Sequence, residues 1–219
     1  MKRLLFLLTI LFLAGCSPAA TPTPRPVFKI YASSAVQPWL DELYQCADRN
    51  DVLLSVSNDP ASADVSLRLG ETENLASPAY KIDDEEILVV THLQTGIGTL
   101  TVDQVRAIFS GQVENWSELG GSDVPVEVWK FSEDEDIQLL FDQTVMDGLP
   151  GTSTARLAVS AQQMSDSVGM NPGSIGFLPR RWKAGNTHET YVAAVSPVLA
   201  ITRPGLDDTL KSVLACLQK

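Results

Sequence analysis

Short apolar segments alternate with amphipathic ones from Phe28 to the end of the chain, a pattern typical of α/β domains. Helices are predicted where apolar residues recur at spacings of three and four, and strands where they are contiguous or alternate. Thr101 and Gln104 form a capping box for one short helix, which Gly111 ends. The predicted strands are 28–31, 52–56, 64–69, 86–90, 126–129, 175–178 and 192–202. One helix is predicted to follow Ser33-Ser34, and four more are predicted to start near residues 102, 137, 152 and 206.

The N-terminus has the pattern of a secretion signal followed by a lipid attachment site. Met1-Lys2-Arg3 is basic, and the apolar run 4–14 is too short to span a bilayer. Leu13-Ala14-Gly15-Cys16 resembles the lipobox of bacterial lipoproteins, in which the cysteine is lipidated and the chain is cut before it. The alternative is a plain secretory signal with an incidental cysteine. We predict a signal peptide at 1–15 and a lipid-anchored, Pro- and Thr-rich tether at 16–26.

Composition narrows the classes of function. The chain has 219 residues, 44% of them hydrophobic, and a formal net charge of −11. This acidity argues against nucleic-acid binding, which needs a basic face. Two His and three Cys leave no room for a Cys₄ or Cys₂His₂ zinc site, so no metal or other cofactor is expected. Gly151 to Ala155 only half-resembles a nucleophile elbow, and the sequence has no phosphate-loop or dinucleotide motif, so an enzyme is not predicted.

Three segments carry a family resemblance. Residues 100–121 read LTVDQVRAIFSGQVENWSELGG, Tyr31 to Pro38 read YASSAVQP, and Asn171 to Phe177 read NPGSIGF. In the same order, they resemble the I-F-x-G…N-W…G-G segment, the first phosphate turn and the N-P-G strand entry of phosphate-binding proteins of ABC importers. Those proteins belong to the type 2 periplasmic-binding-protein superfamily.

The resemblance implies a compact version of the two-lobed type 2 periplasmic-binding-protein fold. This is an α/β fold with mixed sheets flanked by helices and a ligand cleft between the lobes. The chain of such a protein crosses between its lobes twice. We therefore expect 27–91 together with 190–219 to form lobe 1, and 92–189 to form lobe 2.

The resemblance also implies an anion cleft built from donor-rich turns. Ser33-Ser34-Ala35 would offer two hydroxyls and free backbone N–H groups at the start of the first helix. Arg68, after the third strand, matches a position where the family often has an arginine, which can bind an anion through two hydrogen bonds. Thr152 and Ser153 open a later helix where the family often has a Gly/Ser-rich loop. The alternatives are ordinary helix caps and a surface arginine.

One segment departs from the family pattern. Where the family has an arginine and then Ser-Gly-Thr, this chain has Lys130, Ser132 and then Glu135-Asp136-Ile137. Lys130 would partly replace the missing arginine. The carboxylates suit a helix N-terminus but would repel a bound phosphate by about 1 kcal/mol per charge at contact distance in water. We interpret the run as a solvated helix start. The alternative is a cleft for a cation, for a basic ligand or for nothing.

Two further cysteines lie in the first and last helices, which the resemblance places in one lobe. Cys46 and Cys216 are either joined by a disulfide or present as two buried free thiols. The sequence leaves both alternatives open because it does not give the distance between their Cα atoms.

The predicted function is that of a membrane-anchored, extracytoplasmic solute-binding protein facing the periplasm or the cell surface. It would be a monomer that captures a small anionic solute, phosphate or another oxyanion, and presents it to an ABC permease. The alternative is a surface sensory or binding lipoprotein that keeps the fold and has lost phosphate binding.

Overall fold

A computed structural model describes residues 24–70 and 77–218 of the chain. The predicted signal peptide, Cys16 and most of the tether lie outside these residues. The strands are β1 (Val27–Ala32), β2 (Leu53–Val56), β3 (Val65–Leu69), β4 (Ala79–His92), β5 (Glu127–Lys130), β6 (Arg156–Leu157), β7 (Ser174–Pro179) and β8 (Thr187–Thr202). The helices are α1 (Trp39–Arg49), α2 (Val102–Phe109), α3 (Asp136–Phe141), α4 (Ala161–Met170) and α5 (Asp208–Leu217). None of these described helices has both the length and the hydrophobicity of a membrane span.

Strands β4 and β8 form the spine of a mixed, eight-stranded sheet. They run antiparallel from Ala79 opposite Ile201 to His92 opposite Thr187. The strand order is β2-β1-β3-β8-β4-β7-β5-β6. Because β3 pairs with the C-terminal end of β8 and β7 with the C-terminal end of β4, the two outer strand groups lie at opposite ends of the spine. We call β1–β3 with α1 and α5 the first half, and β5–β7 with α2–α4 the second half.

Each half is stabilised by contacts of its own within one shared hydrophobic core. In the first half, α1 packs on α5, and a disulfide joins Cys46 to Cys216 with their Cα atoms 5.8 Å apart. In the second half, the rings of Phe141 and Phe177 stack with centroids 3.9 Å apart, and Phe109 lies 4.8 Å from Phe141. Phe141 thereby fixes the short helix α3 on the sheet.

Some predicted boundaries are wrong for local reasons. The helix predicted from Thr152 begins at Ala161, because Arg156–Leu157 forms the edge strand β6 beside β5 and Ser160 caps α4 through the N–H of Gln163. The first helix starts at Trp39, since Ser34–Val36 forms a separate 3₁₀ turn. By contrast, the capping box of α2 is confirmed.

Candidate functional site

A buried junction between the two halves contains the first predicted site residues. Ser33 directly follows β1, and its backbone N–H donates to the carbonyl of Leu67 in β3 at 3.1 Å. This hydrogen bond holds the Ser33-Ser34 turn at the carboxyl ends of β1 and β3. The N-terminal ends of α3 and α4 face the same turn from the second half. Both serines are buried.

The carboxylate of Asp136 occupies the centre of this junction. Its Oδ2 accepts a hydrogen bond from the Ser33 hydroxyl at 2.6 Å and another from the Leu69 backbone N–H at 2.8 Å. Asp136 is only 7% exposed, although it is the first residue of α3. Its other oxygen, Oδ1, is buried and has no hydrogen-bond partner among the described residues. Donors from the first half therefore converge on an anion that the second half supplies.

Ser34 makes a second link between the halves. Its Oγ accepts a hydrogen bond from the backbone N–H of Ala161, the first residue of α4, at 2.8 Å. This N–H is one of the four that an α-helix leaves without an intrahelical partner. Ala35 is fully buried in the 3₁₀ turn and offers packing to the junction.

Arg68 supplies the positive charge beside this carboxylate. It lies within β3 rather than after it, with its guanidinium carbon 5.8 Å from the centroid of the Tyr31 ring. Its charge favours the ionised forms of Asp136 and Glu135. Its Nε is buried and unpartnered among the described residues. The Nε of Arg68 is thus a hydrogen-bond donor that the Asp136 carboxylate does not use.

Burial dominates the electrostatics of these acids. Desolvation raises the pKa of Asp136, and the hydrogen bonds from Ser33 and Leu69 and the charge of Arg68 oppose it only in part. Desolvation also raises the pKa of Glu135, with the neighbouring charges of Asp136 and Asp134 acting in the same direction. Burial therefore disfavours the ionised form of both carboxyl groups in this junction.

The match to known proteins agrees with this architecture. A family model described as a PBP superfamily domain matches residues 82–213, more than half of the chain. The chain belongs to the PBP superfamily. The phosphate-binding protein PstS of Bacillus subtilis (strain 168) is 23% identical over 123 residues, which cover 52% of this chain and 41% of that relative. The match therefore spans less than half the length of the relative.

Solved structures carry the same fold. A candidate phosphate ABC transporter substrate-binding protein from Clostridium perfringens, with bound phosphate, gives a TM-score of 0.78 at 17% identity and covers 87% of this chain and 92% of its own. An ABC-type phosphate transport receptor from Vibrio cholerae gives a TM-score of 0.65 at 17% identity, and the match covers 87% of this chain and 93% of that receptor. An OxyR2 regulatory domain from Vibrio vulnificus gives a TM-score of 0.63 at 13% identity, and the match covers 88% of this chain and 96% of that domain.

These similarities confirm the predicted family and the type 2 fold. The chain resembles the phosphate-binding subunit of an ABC transporter. The identity of a ligand has to be argued from the site of this particular PBP domain.

The remaining predicted site residues have their contacts elsewhere in the PBP domain. Lys130 lines a cavity of about 650 Å³ with Asp142, and its charge acts on that carboxylate. Ser132 is exposed and hydrogen-bonds to Asp134. The backbone N–H of Thr152 donates to Phe109, and its hydroxyl pairs with Thr154, while Ser153 is exposed. Among the described residues, the contacts of these groups do not include Ser33 or Arg68, and the nearby charge of Lys130 acts on Asp142 instead.

The interpretation of the acidic run as a solvated helix start is wrong for Asp136. The stacked ring of Phe141 fixes α3 against the sheet, and this leaves the first turn of the helix facing Ser33 rather than solvent. Sequence reasoning identified the replacement of Ser-Gly-Thr by Glu135-Asp136-Ile137 but took it as a source of repulsion. It did not consider that a side-chain carboxylate of the chain can occupy the position of a bound anionic ligand.

A second cluster crosses between the halves on α1. Arg181, which follows β7, lies with its guanidinium carbon 3.8 Å from the centroid of the Trp39 ring. Its Nη1 is 3.2 Å from Glu42 of α1, and its Nε is 3.2 Å from the buried Glu85 of β4. Sequence reasoning did not single out Arg181, because no motif marks a cation that packs on a distant tryptophan.

Proposed function

We propose that this chain is an extracytoplasmic binding lipoprotein that keeps the PBP fold while its own Asp136 carboxylate fills the anion position of the cleft. It would not capture phosphate in the manner of the import proteins it resembles. The observation that carries this proposal is the pair of hydrogen bonds from Ser33 and Leu69 to Asp136. A free anion and this carboxylate cannot occupy the same donors.

Charge supports the same conclusion. A phosphate entering the junction would meet Asp136 together with its neighbours Glu135 and Asp134, against the single guanidinium of Arg68. Like charges in a poorly solvated site disfavour each other by more than they do in water. A surface sensory or binding role therefore fits the cleft better than solute capture.

The competing function is capture of a small oxyanion for an ABC permease. One observation favours it, because the hydroxyl of Ser33 and the buried Nε of Arg68 are donors that an oxyanion would use. Relatives named for phosphate binding or transport add to this support. On this function, the ligand would have to displace Asp136.

Anchoring and organisation complete the proposal. Lipidation of Cys16 after removal of 1–15 would hold a monomeric domain on the extracytoplasmic side of the membrane, with 16–26 as its tether. The halves joined by β4 and β8 would act as lobes, 27–91 with 190–219 and 92–189. Mass spectrometry of the membrane fraction would detect a lipid-modified N-terminal Cys16, and a Cys16→Ser variant should leave that fraction.

Isothermal titration of the full chain in detergent with inorganic phosphate tests the choice between the two functions. We expect no binding heat at neutral pH and no shift of the unfolding midpoint in millimolar phosphate. Dissociation constants in the micromolar range, lost in Ser33→Ala, would instead establish solute capture. Leu139→Ala, on the exposed side of α3, serves as the matched control because it leaves the junction unchanged.

A further inference from the structure

We infer that Asp136 is a tethered occupant of an oxyanion site, and that removing its carboxylate turns a permanently closed cleft into one that opens and then closes on a free oxyanion. This inference rests on the proposed function, since it explains how the cleft is closed without a ligand. It adds that the donors of Ser33, Leu69 and Arg68 remain available to an oxyanion once the Asp136 carboxylate is removed, although Glu135 still lies beside them.

The first argument is that the hydrogen bonding between this junction and its own carboxylates is incomplete, since the Oε2 of Glu135 is also buried without a partner among the described residues. Ser33 and Leu69 both donate to Oδ2, whereas Oδ1 is buried with no partner among the described residues. The Nε of Arg68 is likewise buried and unpartnered there. Buried polar groups are normally hydrogen-bonded. A site with a spare donor and a spare acceptor is therefore imperfectly matched to its occupant.

A tetrahedral oxyanion would resolve this mismatch. It carries oxygens in several directions, so it can accept from Ser33 and Leu69 on one side and from the guanidinium of Arg68 on another. Charge-assisted hydrogen bonds of the last kind are about twice as strong as neutral ones. An untethered anion can also adopt the position that suits all donors, whereas the Asp136 carboxylate is fixed to the first turn of α3.

The second argument is mechanical. Ser33 and Leu69 belong to the first half and Asp136 to the second, and Ser33 and Asp136 are separated by 103 positions in the chain. These hydrogen bonds thus join the halves as a bound ligand would. Ligand-driven closure requires a free energy that depends on the ligand. Here the chain supplies the same contacts at all times, so closure no longer reports on solute.

The test combines phosphate binding with a distance measured between the halves. Spin labels at Tyr44→Cys in α1 and Met170→Cys in α4, both exposed positions, report the separation of the halves. In otherwise unaltered full-length protein we expect one short distance, unchanged by phosphate. In Asp136→Gly we expect a broader, longer distribution that returns to the short distance when phosphate is added. Titration of the same variant should show at least a tenfold gain in phosphate affinity.

Two variants serve as controls. Asp136→Asn keeps the size and an acceptor oxygen for Ser33 and Leu69, so it should stay closed and gain no phosphate binding. Adding Arg68→Gln to Asp136→Gly should remove most of the gained affinity, at least tenfold, because the spare donor is lost. If glycine prevents folding, Asp136→Ala is titrated in its place and must show the same gain.

The outcomes separate this inference from the proposed function. Phosphate binding by the unaltered cleft overturns the proposed function. The tethered-occupant inference alone is overturned by a different pair of results. The unaltered protein does not bind phosphate, and a folded Asp136→Gly or Asp136→Ala variant stays closed and gives no heat with phosphate. Opening and gain of binding in the glycine variant, with none in Asp136→Asn, supports it.

Discussion

At the scale of single residues, Asp136 places a carboxyl group where its ionised form is disfavoured by burial. Its pKa is raised because burial outweighs the hydrogen bonds of Ser33 and Leu69 and the charge of Arg68. A carboxyl whose pKa is higher in the folded than in the unfolded protein binds its proton more tightly when folded. Its contribution to stability is therefore full below the unfolded value of about 3.9 and is lost as pH rises through the folded pKa.

The pH dependence of unfolding tests this residue directly. We expect the free energy of unfolding of Asp136→Asn to exceed that of the unaltered protein at pH 7, because the amide keeps an acceptor oxygen for Ser33 and Leu69 without the cost of burying a charge. The difference should shrink as pH falls towards 4, since the native carboxyl then binds its proton. Urea unfolding at several pH values between 4 and 7.5 measures it. A difference that grew on acidification would contradict the account, and Leu139→Ala, an exposed and non-titrating position of α3, serves as the control for a general change in stability.

At the scale of elements, the disulfide ties the two helices that cover the first half. It links α1 to α5 across 170 positions of the chain, with both helices burying apolar faces. In the chain-entropy model, a cross-link closing so long a loop stabilises the folded state by roughly 4–5 kcal/mol. We expect Cys46→Ala with Cys216→Ala to lower the urea midpoint markedly. The unaltered protein treated with reductant should match it, and an unchanged midpoint in the double variant would contradict the prediction.

Elements were predictable from sequence where local pattern determines them. The apolar strands and the capping box of α2 follow from residues close together in the chain. The start of α4 was missed because Thr152 and Ser153 resemble a cap, whereas Ser160 performs that role after an edge strand. The role of Asp136 could not be predicted from its neighbours in the chain, since its hydrogen-bond partners Ser33 and Leu69 lie 103 and 67 positions away.

At the scale of the whole molecule, Arg181 joins the halves at a place separate from the hydrogen bonds of Asp136 and Ser34. Its guanidinium packs on Trp39 and pairs with Glu42, both in α1, while its chain position belongs to the second half. A cation over an indole contributes about 0.5–2 kcal/mol. This contact does not involve the anion junction. It should therefore set how far the cleft opens once Asp136 has been removed.

The variant Arg181→Ala tests this division of labour with the same pair of spin labels. We expect Arg181→Ala by itself to lower the unfolding temperature by a few degrees. The short distance between the spin labels should persist, because Asp136 still joins the halves. Combined with Asp136→Gly, it should raise the open fraction about threefold or more above that of Asp136→Gly. Arg180→Ala is the matched control, since the partners of Arg180 are Glu86 and Glu189 on β4 and β8. Equal opening by the two arginine variants would mean that general loss of charge, rather than the contact with α1, weakens closure.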